Sequence, residues 1–263
     1  MISPASPSSL IRCPMVASWV VTIAIATIVC PVASGIAPRP DRGAPSMSEP
    51  GRQPLLAFYY EQLDRDGDLD TFQVRVEARY SETTLRRLVS SADVRARRGA
   101  VSALGLIGDF GSNDALGSAL ADEDPAVRQL AVSSLWSIWF RAGSDEQNEK
   151  LRLIVEFNNR GLPREAQRQA TRLIAEAPTF AEAYNQRAIA SFVLGEFVES
   201  AADCKRVLEL NPYHFGALGG LGQCYLRLGR PDLALETYRR SLAIQPHDEG
   251  LKRLIKTLEA DRR

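Results

Sequence analysis

Gly161, Gly195 and Gly229 stand 34 residues apart, and Pro178, Pro212 and Pro246 keep the same interval. A small residue follows each glycine at a fixed offset: Ala166, Ser200 and Ala234. Glycine ends a helix in a left-handed turn at little steric cost, and the residue before a proline avoids the helical region. Each unit therefore reads as two helices, joined near the glycine and stopped at the proline, with a small residue where they approach closely. One such pair cannot bury its own apolar face, so the pairs must stack. This predicts an all-α chain, a right-handed helical-repeat solenoid.

Three units follow from the period: 147–180, 181–214 and 215–248. Tyr184, Ala188, Gly195, Phe197, Val207 and Pro212 occupy the repeating positions of the middle unit. Leu218, Leu221, Gly222, Tyr225, Gly229, Ala234, Tyr238, Leu242 and Pro246 do so in the last. The first unit is degenerate and keeps Leu153, Phe157, Gly161, Ala166 and Pro178. The pattern resembles the tetratricopeptide repeat. Residues 249–261 (EGLKRLIKTLEAD) then place Leu251, Leu254, Ile255 and Leu258 on one helical face, a capping helix for the exposed end. With 143–146 as lead-in, the tetratricopeptide domain is expected over 143–263. The resemblance implies a non-enzymatic surface that binds other protein.

A second period precedes the first. Ala100-Val101-Ser102-Ala103-Leu104 is echoed 31 residues later by Ala131-Val132-Ser133-Ser134-Leu135. The same offset relates Leu85 to Leu116, Asp93 to Asp124, Arg97 to Arg128 and Ile107 to Ile138. Each Asp is placed to cap a helix, and Pro125 suits the first helical position. This pattern over 54–142 resembles the short bacterial HEAT repeats related to phycobilisome lyases. The resemblance implies that Arg97 and Arg128 bridge to the neighbouring unit's Asp, and it transfers no activity. Trp136, Trp139 and Phe140 end the second unit; the pair at helical spacing is read as core at the domain junction, against a binding platform.

Residues 1–37 read as a signal peptide or a membrane anchor. Val16 to Val29 carries no charge, and Val32-Ala33-Ser34 forms a small-residue site before Gly35. Cleavage is favoured because the run is short and ends in helix breakers, with an anchor over 15–37 as the other reading. An exported protein, periplasmic or secreted, is expected. The stretches Asn185-Gln186-Arg187-Ala188 and His214-Phe215-Gly216-Ala217-Leu218 resemble an exported bacterial tetratricopeptide subgroup. Residues 38–53, rich in Pro, Gly and Ser, read as a disordered linker. Cys204 and Cys224 fall in adjacent units; either they are small buried helix residues or, after export, they pair as a disulfide.

Lys plus Arg and Asp plus Glu both number 32, so no bulk charge points to nucleic acid or acidic membranes. No phosphate loop, nucleophile elbow or zinc-protease motif occurs, and two histidines, His214 and His247, leave little for a His-based metal site. Catalytic, cofactor-binding and metal residues are accordingly expected to be none. The acidic run Asp64 to Asp70 resembles half of a calcium-binding loop, but Leu69 and Arg75 stand where that loop needs Gly and Glu; a turn between helices is the other reading. A helix from about Asp70, capped by Asp70, would follow it.

The resemblance places a peptide-binding groove on the first helix of each unit: Asn185, Gln186, Ile189 and Phe192, then Gln223, Leu226 and Arg227. Glu182, Val193, Gly216 and Gly220 belong to the same faces. The amides suit a peptide backbone, Arg227 a carboxylate, and Phe192 and Leu226 an apolar side chain. The Lys, Asn and Arg clamp of chaperone-tail binders is absent. The expected function is a protein–protein interaction scaffold of the cell envelope, its protein or peptide partner unnamed. The alternative is an accessory enzyme or chromophore- or metal-handling factor related to HEAT-repeat lyases, using the Trp136–Trp139 junction.

Overall fold

The computed structural model describes residues 54–261. The leader, the linker, Cys13 and Cys30 lie outside the described residues. Thirteen α-helices and no strand occur among those described. The first six are α1 (Leu55–Asp66), α2 (Leu69–Glu77), α3 (Glu82–Leu88), α4 (Val94–Ile107), α5 (Asn113–Ala119) and α6 (Pro125–Phe140). They are followed by α7 (Asp145–Asn159), α8 (Pro163–Glu176), α9 (Ala181–Val193), α10 (Phe197–Leu210), α11 (Phe215–Arg227), α12 (Pro231–Ile244) and α13 (Glu249–Ala260). From α7 onward helices pack chiefly on their chain neighbours, whereas in the first half the main pairings are α4 with α6 and α1 with α4, so that successive units stack as in a helical-repeat solenoid.

The 34-residue period has an atomic basis. Gly161, Gly195 and Gly229 adopt φ of 70°, 81° and 67°. In each case the next residue's N–H reaches back to close the helix: Leu162 to Phe157 O, Glu196 to Ser191 O and Arg230 to Tyr225 O, at 2.9, 2.9 and 2.8 Å. This is the Schellman-type termination, and a side chain in that left-handed region costs about 1–2 kcal/mol. The small residues do the expected work inside the pairs. A β-carbon on Gly222 would lie 2.4 Å from the Tyr238 ring. Ser200, fully buried, donates to Ala188 O across the α9–α10 pair at 2.8 Å.

The 31-residue period is equally concrete. Asp93 and Asp124 cap α4 and α6, accepting from Ala96 N at 3.0 Å and Val127 N at 2.9 Å. Arg97 donates to the carbonyls of Ser91 and Ala92, and Arg128 donates to those of Asp122 and Glu123, the same offsets back along the chain. Arg97 also forks onto Asp122 of the following unit, at 2.8 and 3.0 Å. Arg128 makes no such bridge; its partners are carbonyls of its own loop, because the chain after α6 takes up the other repeat. The second inter-unit fork belongs to Arg98, which grips Asp124 at 2.9 and 2.6 Å. Arg141, with no carboxylate, donates to Gly105 O and Gly108 O at 2.7 and 2.8 Å and so seals the C-terminus of α4.

The acidic run near the N-terminus forms a helix–helix turn. Gly67 closes α1 at φ 69°, and Asp68 caps α2 by accepting from Thr71 N at 3.0 Å. The cap is thus Asp68 rather than Asp70, two residues earlier than the pattern suggested, because Asp68 is the carboxylate that reaches Thr71.

The Arg98 fork and the α6 cap together hold the Asp124 carboxyl down, from the ordinary 3.8 to about 2. A depressed folded-state value contributes stability that is complete above the unfolded value and is lost as pH falls toward about 2. Asp124→Asn keeps a competent cap but not the charge. Its urea midpoint should fall less than the parent's on going from about pH 5 to about pH 2; equal acid losses in the two proteins would contradict the assignment.

Candidate functional site

The side chains marked as groove-lining divide into two sets. Asn185, Gln186, Ile189 and Phe192 are buried, at 2, 0, 5 and 7% exposure, and so is Glu182. The expectation sets them on an open groove, whereas in the structure they are closed off: apart from Asn185 Oδ1 their side-chain polar atoms are engaged within the chain, and α9 is packed on several sides. Gln223 and Leu226 are half-buried, while Arg227 and Val193 are exposed. The open part of the face is therefore confined to the C-terminal ends of α9 and α11.

What fills the middle of the face is the HEAT-like half of the chain. α6 packs against α9. Trp139 is buried and stacks flat on the His214 ring, with centroids 4.4 Å apart and planes 15° from parallel. Trp136 stands edge-on to His214 and Phe215 at 5.4 Å each. Tyr213, Phe215 and Ile244 join the core cluster otherwise formed by α1 to α6. The backbones come close enough that two glycines are required. A β-carbon on Gly216 would sit 3.0 Å from the Trp136 ring, and one on Gly117 would sit 2.4 Å from Tyr213.

A buried hydrogen-bonded chain runs through this junction. The Trp139 indole N–H donates to Asn113 Oδ1 at 2.7 Å, and Asn113 Nδ2 donates to Asn211 Oδ1 at 3.0 Å. His214 caps α11: its Nδ1 accepts from Ala217 N at 3.0 Å. That places the ring proton on Nε2, which donates to Glu182 Oε2 at 3.0 Å. The other oxygen of Glu182 accepts from Asn185 Nδ2 and Gln186 Nε2, both at 2.8 Å. Asn158 of α7 donates to Gln186 Oε1 at 3.0 Å. Glu182 is thus a buried carboxylate held by three uncharged side-chain donors. Two polar atoms lack a partner, Asn185 Oδ1 and Asn211 Nδ2, and such orphans cost about 1–3 kcal/mol each.

At the open end, Arg227 lies over two rings, 5.6 Å from the Phe192 centroid and 5.7 Å from that of Phe197. Among the described residues it makes no ion pair. Val193 and Leu228, beside it, are exposed at 49 and 37%. Chemically this is a braced cation next to apolar surface, suited to a carboxylate and an aliphatic side chain.

The other candidates are structural. Cys204 and Cys224 are buried free thiols; Cys224 donates to Ser200 Oγ at 3.2 Å, and Cys224 beside it, with burial, holds the Cys204 thiol well above its ordinary range. Among the described residues no group of His, Cys, Asp and Glu is arranged to hold a metal ion, and no helix is long and apolar enough to cross a membrane. Asn113, Gly117, Asn211 and Tyr213 escaped the sequence reading. They lie outside both repeat patterns, and Asn113 meets a partner 98 residues away.

The Glu182–His214 contact should behave as a coupled pair. Glu182→Ala leaves three buried donors unpaired and should cost about 3–5 kcal/mol of unfolding free energy. In a cycle with His214→Ala, denaturant titration should yield a coupling of about 1–3 kcal/mol; additive effects would show that the contact contributes nothing.

Comparison with known proteins agrees with the two periods. A family model described as tetratricopeptide repeat matches residues 179–247, and one described as HEAT repeats matches 81–177. The latter extends over α7 and α8, the degenerate first 34-residue unit, although that pair ends its first helix at Gly161 in the tetratricopeptide manner. A TPR repeat-containing protein of Rhizobium etli is 29% identical over 141 residues, covering 52% of this chain and 67% of that protein. A protein SGT1 homolog of Bos taurus is 33% identical over 94 residues, covering 36% of this chain and 28% of its own length. The chain thus carries tetratricopeptide repeats, preceded by HEAT-like repeats.

Proposed function

We propose that this chain is an exported protein-interaction scaffold that takes an acidic, partly apolar peptide segment at the open end of its tetratricopeptide face. The observation that carries the reading is Arg227: an exposed guanidinium braced over Phe192 and Phe197, with no ion pair among the described residues. Placing one cation over two aromatic rings orders it before any ligand arrives, so less conformational entropy is lost on pairing with a carboxylate. Val193, Leu226 and Leu228 supply adjacent apolar surface, and Gln223 an amide for the peptide backbone. The likeness to a TPR repeat-containing protein and to an SGT1 homolog supports a scaffold role in general terms. Export rests on the uncharged run Val16 to Val29 and the small residues Val32-Ala33-Ser34.

An array of short peptides with graded Asp and Glu content tests the site directly. The parent chain should prefer acidic peptides that also carry Leu or Val, and Arg227→Ala should weaken them by about tenfold or more. Equal retention of acidic and basic peptides would refute the proposal. For the location, expression in a bacterial host with the native N-terminus should deliver protein cleaved after Ser34 to the envelope fraction; intact full-length chain in the cytosol would refute it.

A further inference from the structure

The tetratricopeptide face is closed at its middle by the chain's own HEAT-like half, and the manner of the closure is unlike repeat stacking. It joins residues that neither period relates, such as Asn113 to Asn211 and Trp139 to His214. Its contacts are made largely by rings: the Trp139 and His214 rings stack, the Tyr213 ring lies against Gly117, and Trp136 meets Gly216, His214 and Phe215 with its edge. The closure is also incomplete in its polar accounting. Asn185 Oδ1, an acceptor, and Asn211 Nδ2, a donor, are buried without partners, in residues only 2 and 0% exposed. A peptide unit offers the reciprocal N–H and C=O.

We infer that the HEAT-like half, through α5 and α6, is an intramolecular plug, and that its withdrawal from α9 and from the 211–216 turn opens a binding groove for an extended polypeptide backbone. The inference rests on reading the tetratricopeptide face as a peptide-binding surface, and it adds the regulation of that face. In the closed state only the Arg227 end is available. In the open state Glu182, Asn185 and Gln186 become the polar floor of a longer groove, and Ile189 its apolar wall. A ligand that engages the floor must overcome the plug, so its apparent affinity is reduced by the small open fraction; a partner that holds the HEAT-like half elsewhere restores it.

The test uses the full chain with Asn185→Cys as reporter. The plug is loosened from one side by Gly216→Leu and from the other by Gly117→Leu, each of which drives a side chain into the facing ring. N-ethylmaleimide labelling is followed peptide by peptide by mass spectrometry, with the native buried thiols Cys204 and Cys224 reporting on wholesale opening of the repeats. The expected result is labelling at position 185 about tenfold faster in at least one plug variant, with Cys204 and Cys224 as slow as in the parent. Unchanged labelling at 185 in both variants overturns the inference. So does labelling at 185 that rises only together with Cys204 and Cys224, since the contact between the two halves would then be an inseparable part of the fold. The readout needs no peptide. Failure of the acidic-peptide preference with this labelling pattern intact would therefore refute the Arg227 site and leave the plug standing.

Discussion

The flat contact between Trp139 and His214 organises the rest of the molecule. On its own an indole on an imidazole is worth about 0.5–1.5 kcal/mol beyond the area it buries. Its importance lies in what each ring is tied to. The indole N–H is anchored to Asn113 and through it to Asn211. The imidazole caps α11 on one edge and holds Glu182 on the other. Apolar surfaces tolerate sliding, whereas a buried polar group that loses its partner is costly, so the hydrogen-bonded chain sets the register in which the two halves meet. The two repeat arrays are joined both through the covalent chain at 141–144 and through a second contact about 70 residues further on, around His214.

That double attachment changes what the tetratricopeptide units present. In an isolated array the first helices would offer a continuous face. Here the polar side chains of α9 turn to one another and to α7 and α11, and the accessible chemistry is pushed to the helix ends, where Arg227 rests on Phe192 and Phe197. The same residue types serve two ends. Asn185 and Gln186 satisfy a buried carboxylate, whereas Gln223, one unit later and clear of α6, remains half-exposed.

The sequence carried the local structure in detail. Gly161, Gly195 and Gly229 marked three helix ends because a positive φ excludes other residues, and Asp93 and Asp124 marked two helix starts because their carboxylates replace missing acceptors. Pairwise packing was legible for the same reason, since neighbouring repeats meet through positions that recur. What it did not carry was contact between the arrays. Trp139 reads as core from its spacing, but nothing near it in the chain points to His214. Gly117 and Gly216 are ordinary helix glycines until the ring opposite each is known. Asn185 and Gln186 read as groove residues from the repeat alone; their burial depends on Asn158, Glu182 and His214, contacts that the repeat's own period does not announce. Arg97 does reach the following unit, but at Asp122, and it is Arg98 that takes the capping Asp124; Arg128 turns to the carbonyls of its own loop.

Most solenoids are open-ended, and their lineages gain or lose units at little cost because each unit touches only its neighbours. The Trp139–His214 contact removes that freedom here. Two helix pairs, α7–α8 and α9–α10, separate the rings along the chain, and their combined rise and rotation bring the imidazole under the indole. An added or deleted 34-residue unit within that span would carry His214 past its station. The junction therefore acts as a gauge of repeat number, holding the interval between α6 and α11 at two pairs, while the C-terminal side beyond α12, whose Ile244 still touches the HEAT-like core, stays free to lengthen.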